Sequence, residues 1–106
     1  MKQEYEQHLK DKTEENGAVK LDGEKVLEIK YTHYPNVVGP RSRYKGLPIW
    51  VGKTEAVGTI DGEVKKVESM CWVNEPFTYE RARYVCTGRL LKAFGLPTSL
   101  ADQIKE

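Results

Sequence analysis

The sequence predicts an α+β domain. Its core is an antiparallel sheet of four or five strands, made of two hairpins, covered on one face by a C-terminal helix and preceded by a short N-terminal helix. Three observations carry this expectation. An apolar/polar alternation of period two runs along 24–34. The dipeptide Asp-Gly occurs at 22–23 and again at 61–62, each time between strand-like runs. Residues 78–94 have helical periodicity, with Pro76 before them and Gly95 and Pro97 after them. A chain of 106 residues is the size of one domain, so 1–106 is read as a single unit.

The elements follow in order. Residues 1–15 are rich in strong helix formers, place Tyr5 and Leu9 at i, i+4, and meet a stop signal at Asn16-Gly17. Their apolar stripe is narrow, so 1–16 form a weakly docked helix or a tail. Ala18–Leu21 and Glu24–Tyr34 then flank Asp22-Gly23, read as a tight turn. In the longer strand Leu27, Ile29, Tyr31 and His33 point to the core, while Glu28, Lys30, Thr32 and Tyr34 point to water. Pro35–Gly46, with Pro35, Asn36, Gly39, Pro40 and Gly46, reads as a long loop, the kind of segment in which function concentrates. Val57–Ile60 and Val64–Val73 form a second hairpin about Asp61-Gly62. The helix Thr78–Phe94 turns Tyr79, Ala82, Cys86, Leu90, Ala93 and Phe94 toward the sheet, with Arg81, Tyr84, Gly88, Arg89 and Lys92 on and around the far side. Thr98-Ser99 would cap a short last helix, Leu100–Lys105.

Composition narrows the class. At 39% hydrophobic and 31% charged, the chain is neither collagenous nor low-complexity. No apolar run approaches the ~20 residues of a membrane span, and the N-terminus lacks a signal-peptide run. A cytoplasmic location with no membrane partner is expected, and with it two reduced thiols at Cys71 and Cys86. The net charge of +1 hides an uneven distribution. Residues 1–28 carry five Lys and eight acids, whereas 29–54 carry Lys30, Arg41, Arg43, Lys45 and Lys53 and no acid. Residues 55–77 are again acidic, and 78–106 carry five basic and three acidic residues. Such a chain can present one basic face.

The inventory points away from enzymology. His8 and His33 have no neighbours in a motif for acid, base or triad chemistry. There is no Cys-x-x-Cys or His-Glu-x-x-His spacing, so no metal and no cofactor are expected. Gly52-Lys53-Thr54 ends like a phosphate-binding loop, but Leu47 stands where that loop needs Gly and a strand follows instead of a helix. Binding is the better-supported class. Arg41, Arg43, Lys45 and Lys53 are interleaved with Tyr31, Tyr34, Tyr44 and Trp50, a mixture of cations for phosphates and flat rings for bases. Arg81, Arg89 and Lys92 extend it. The same residue types anchor protein interfaces, and aromatic strand residues also serve as core.

The run Phe77–Leu96, with Arg81, Arg89, Lys92 and the terminal Phe94-Gly95, resembles the basic helix that follows the antiparallel sheet in phage single-strand annealing recombinases of the Rad52-like kind. The resemblance covers about a fifth of the chain. It implies annealing of complementary strands, with DNA held by basic residues in a groove of a homo-oligomeric ring. The order helix, strands, helix also resembles double-stranded RNA-binding domains. Their Lys-Lys-x-x-Lys helix start is absent, because the position reads Thr78-Tyr79-Glu80-Arg81-Ala82-Arg83. The expectation is therefore a non-enzymatic module binding single-stranded nucleic acid, DNA foremost, through Arg41, Arg43, Tyr44, Lys45, Trp50, Lys53, Arg81, Arg89 and Lys92. The alternative is a small phage-type inhibitor or adaptor that grips a host protein with its aromatic and basic loop.

Overall fold

The computed structural model describes residues 12–38, 50–72 and 76–104. Four strands, β1 (Thr13–Lys20), β2 (Val26–Val38), β3 (Trp50–Ile60) and β4 (Glu63–Trp72), pair antiparallel in the order β1-β2-β3-β4. Among the described residues one α-helix, α1 (Tyr79–Ala93), covers one face, and a 3₁₀ helix, Thr98–Gln103, packs against it. The architecture is the predicted α+β class.

The alternation of β2 is realised: Leu27, Ile29, Tyr31 and His33 are all buried on the helix side. Cross-strand register sets small residues beside these large ones. Gly17 and Gly58 flank Ile29, Ala56 faces Tyr31, and Thr54 faces His33. The dip lets α1 approach closely. A Cβ on Gly58 would stand 3.0–3.1 Å from methyls of Leu27 and Leu90. The core collects Val19, Leu27, Ile29, Tyr31 and Ala56 from the sheet, Cys86, Leu90 and Leu91 from α1, and Ala101 from the 3₁₀ helix. The two cysteines do not form a disulfide with each other: Cys86 is buried and Cys71 partly exposed. Burial pushes the Cys86 thiol up to about 12.

The two Asp-Gly sites differ. Asp61 (φ 49°) and Gly62 (φ 84°) form the predicted two-residue turn between Ile60 and Glu63. The first connection is longer than the tight turn expected. Asp22–Glu24 form a 3₁₀ turn, and β2 begins at Val26 instead of Glu24. The register explains the correction, because Val19 pairs with Leu27 and Lys20 with Val26. A two-residue turn at Asp22-Gly23 would slip β1 by one residue and send Val19 and Leu27 to opposite faces.

The N-terminal helix is corrected where it can be seen: 13–16 belong to β1, while 1–11 lie outside the described residues. Helix propensity is outweighed there by the ladder to β2 and by the contacts of Glu15 described below. The start of the predicted loop Pro35–Gly46 is corrected as well, while 39–46 lie outside the described residues. β2 continues through Pro35 to Val38, with a pairing irregularity between Tyr34 and Val38 that tolerates the proline.

Helix α1 has the expected ends. Thr78 caps it by accepting from the Arg81 N–H, and Gly95 follows with φ 74°. Its buried residues are Ala82, Cys86, Thr87, Leu90 and Leu91, whereas the predicted Ala93 is exposed. The last element is 3₁₀, not α, and opens at Pro97 without the predicted Thr98-Ser99 side-chain cap. It is tied to the sheet by Gln103, whose amide accepts from the Lys20 N–H (2.9 Å) and donates to the Lys20 carbonyl (3.0 Å). Among the described residues no helix is long and apolar enough to cross a membrane.

Candidate functional site

At the end of the sheet where β1 begins, the core turns polar. His33 on β2 is fully buried and both its nitrogens are bonded: Nδ1 lies 2.8 Å from the Thr54 hydroxyl of β3 and Nε2 lies 2.7 Å from Glu15 Oε2 of β1. Glu15 is a diagonal neighbour on the same face, since its register partner is Tyr31 and that of His33 is Thr13. Arg83 of α1 closes the arrangement, donating to both oxygens of Glu15 at 3.1 and 2.8 Å. The Tyr79 ring stacks on His33 at 4.2 Å between centroids and its hydroxyl donates to Thr13, while Phe77 meets both rings edge-on. Beside them the Tyr31 hydroxyl lies 2.6 Å from Thr87 Oγ1, which donates to the Arg83 carbonyl.

The charges in this cluster follow from its burial. Desolvation is the largest influence on His33 and lowers its pKa; the Glu15 carboxylate opposes this but does not win. Arg83 already neutralises Glu15, so little field is left to hold an imidazolium. Glu15 is pushed upward by desolvation, but the hydrogen bonds and charges of Arg83 and His33 outweigh it and hold the carboxyl below its ordinary value. A neutral His33 then donates from Nε2 to Glu15 and accepts the Thr54 hydroxyl at Nδ1. Hydroxyl, imidazole and carboxylate stand in the order of a nucleophilic triad, but Thr54 and His33 are completely buried. A nucleophile needs room for a reacting atom, so what these bonds accomplish is to fix β1, β2, β3 and α1 to one another.

The described part of the sequence-predicted interface is divided between the sheet and α1. Arg41, Arg43, Tyr44 and Lys45 lie outside the described residues. Trp50 is the first residue of β3, in register with Trp72. Lys53 points away from α1, on the open face of the sheet, where it pairs with Glu68 at 2.7 Å and Glu55 at 3.3 Å. The Glu68 bond, helped by Glu55, holds its ammonium above the ordinary value. Lys66 pairs with Glu55 and Lys30 with Glu14 on the same face, which is therefore a lattice of compensated charges. Tyr31, one of the interleaved aromatic residues, belongs to the core, whereas Tyr34 lies cross-strand from Lys53 on the open face.

Arg81, Arg89 and Lys92 are exposed on α1, on the opposite side of the molecule from Lys53. At 100° per residue they share an arc of roughly 80°, and Glu80 falls outside it. Arg89 reaches the edge of β4 and donates from Nη1 to the Glu68 carbonyl. Arg81 and Arg89 border a cleft of about 220 Å³ between β4 and α1, floored by Ala82, Val85 and Phe77. Phe94-Gly95, part of the family-like pattern, has a local explanation: Phe94 is the C-cap and Gly95 supplies the left-handed residue that ends the helix.

Glu15, Thr54 and Arg83 were absent from the sequence-derived set. The one signal was His33 itself, a titratable residue on the core face of an alternating strand. Among the described residues no group of three or more His, Cys, Asp or Glu side chains is placed to hold a metal ion. Compared with known proteins, the chain matches no family, no curated protein and no solved structure.

Proposed function

We propose that this chain is a non-enzymatic α+β module that binds single-stranded nucleic acid, DNA foremost, with the outer face of α1 as a principal contact. The observation that carries the reading is the alignment of Arg81, Arg89 and Lys92 along one exposed arc of the helix. Phosphates are recognised by such rows of cations, and α1 contains a single acid, Glu80. Arg41, Arg43 and Lys45 add contacts from the β2–β3 connection, with Tyr44 and Trp50 as stacking rings. Lys53 contributes less, because it would have to leave two carboxylates. The resemblance of Phe77–Leu96 to annealing recombinases supports the same class of ligand. The non-enzymatic part rests on the complete burial of Thr54 and His33, which leaves no room for a reacting atom beside them.

The test is fluorescence anisotropy of labelled single- and double-stranded oligonucleotides at about 50 and 200 mM salt, a range over which phosphate contacts weaken steeply. Saturable binding that prefers the single strand and collapses at the higher salt is expected. Lys92→Gln should lower the slope of log affinity against log salt by about 1 without changing base preference. Absence of saturable binding at either salt overturns the proposal.

A further inference from the structure

The end of the molecule opposite the polar cluster carries a different surface. There the two hairpin turns and the chain leaving α1 surround a groove of about 450 Å³. Its apolar walls are Leu21, Ile60, Phe94, Leu96 and Leu100, all half-buried and packed against the core from outside. This is the part of the apolar layer that the fold leaves partly open, since the helix ends at Ala93 and the sheet continues under it to Ile60.

The rim is acidic. Asp22, Asp61 and Glu63 line the groove, and Glu24 sits on the same turn as Asp22. Two lysines are near, and both are engaged: Lys25 pairs with Asp61 at 3.0 Å, and Lys65 lies over the Phe94 ring at 5.6 Å. Asp22, Glu24 and Glu63 make no ion pair among the described residues. A polyanion is repelled by such a rim, so the groove has no part in the nucleic-acid face. Apolar walls under unpaired carboxylates suit a ligand that buries aliphatic or aromatic side chains and presents cations beside them.

We infer that this groove docks a protein segment carrying apolar anchors flanked by Lys or Arg, a partner contact separate from the basic face of α1. The apolar side chains supply the buried area, and Asp22 and Glu63 supply the choice of charge.

The probe is a synthetic peptide alternating Leu-Leu with Lys, compared with one in which Glu replaces every Lys and one in which Ser replaces every Leu. Binding is followed by amide chemical shifts in the ¹⁵N-labelled full chain. The Lys-Leu peptide should move the amides of Leu21, Ile60, Leu96 and Leu100, and the other two should not. Asp22→Lys combined with Glu63→Lys, both exposed, should weaken the Lys-Leu peptide by about tenfold or more and bring in the Glu peptide. Leu96→Gln, which leaves the rim intact, should weaken the Lys-Leu peptide alone. Oligonucleotide binding should be the same in Leu96→Gln as in the unaltered protein, since that substitution changes no charge. Shifts mapping elsewhere, charge reversal without effect, or groove shifts that grow with protein concentration before any peptide is added would each overturn the inference. The last result would mean that a second copy fills the groove.

Discussion

The interface between α1 and the sheet is made of two unlike halves. Toward the hairpin turns, Leu90 and Leu91 lie against Val19, Leu27 and Ile29, an aliphatic contact without a polar side-chain atom. Toward the start of β1, the same helix meets the same sheet through Arg83, Tyr79 and Thr87 against Glu15, His33 and Tyr31. The first half holds by area removed from water and tolerates small displacements. The second holds by bonds whose geometry admits one arrangement, because each buried polar group left unmatched is costly. An α-helix on a sheet can slide along an aliphatic surface, whereas the Glu15-Arg83 pair determines where it stops.

The sharpest way to break the contrast is Leu90→Ala in the aliphatic half. Leu90 is fully buried, and its truncation should cost about 2–5 kcal/mol, read as a lower urea midpoint. Next in size is Arg83→Met, which keeps the stem and removes the two bonds to Glu15. It should cost about 1–2 kcal/mol, the lower end for a charged partner, because the Glu15 side chain keeps 31% of its surface and water takes part of the load. If Arg83→Met cost as much as Leu90→Ala, the distinction between the halves would be wrong.

The smallest effect is the most diagnostic. The pKa of His33 lies below its ordinary 6.5 in the fold, so the unfolded chain binds more protons between the two values. Its contribution to stability is complete above pH 6.5 and is lost as pH falls through the folded value. Glu15, held below its ordinary 4.5, contributes in the same sense in a lower window: complete above pH 4.5 and lost beneath it. Urea midpoints measured from pH 7 downward should therefore fall in two stages. His33→Gln should remove the first stage and keep the second. Parallel curves for the two proteins between pH 7 and 5 would show that His33 does not titrate in the fold as described.

Legibility in the sequence followed the range of the interaction. The β2 alternation, the Asp61-Gly62 turn and both ends of α1 depend on residues within a few positions of one another, and all are visible in the pattern. Strand β1 was hidden because Thr13–Asn16 continue a run of good helix formers; what makes them a strand is β2 and Arg83, up to 68 residues away. The first turn looked identical to the second and differed because register had to keep Val19 with Leu27. Of the candidate interface, the helix arc of Arg81, Arg89 and Lys92 was readable from a 100° projection. The compensation of Lys53 by Glu55 and Glu68 was not, since Glu68 comes from another strand.

By itself, then, the sequence determined the elements whose signals are local: a pleated strand with one apolar side, a two-residue turn at left-handed residues, a capped helix with one basic arc. Tertiary structure alone decided which polar residues became core, that Lys53 is compensated by carboxylates and which turn took an extra residue. Those outcomes depend on pairings between distant segments, and such pairings have free energies only once the sheet has formed and the helix has excluded water from one side of it.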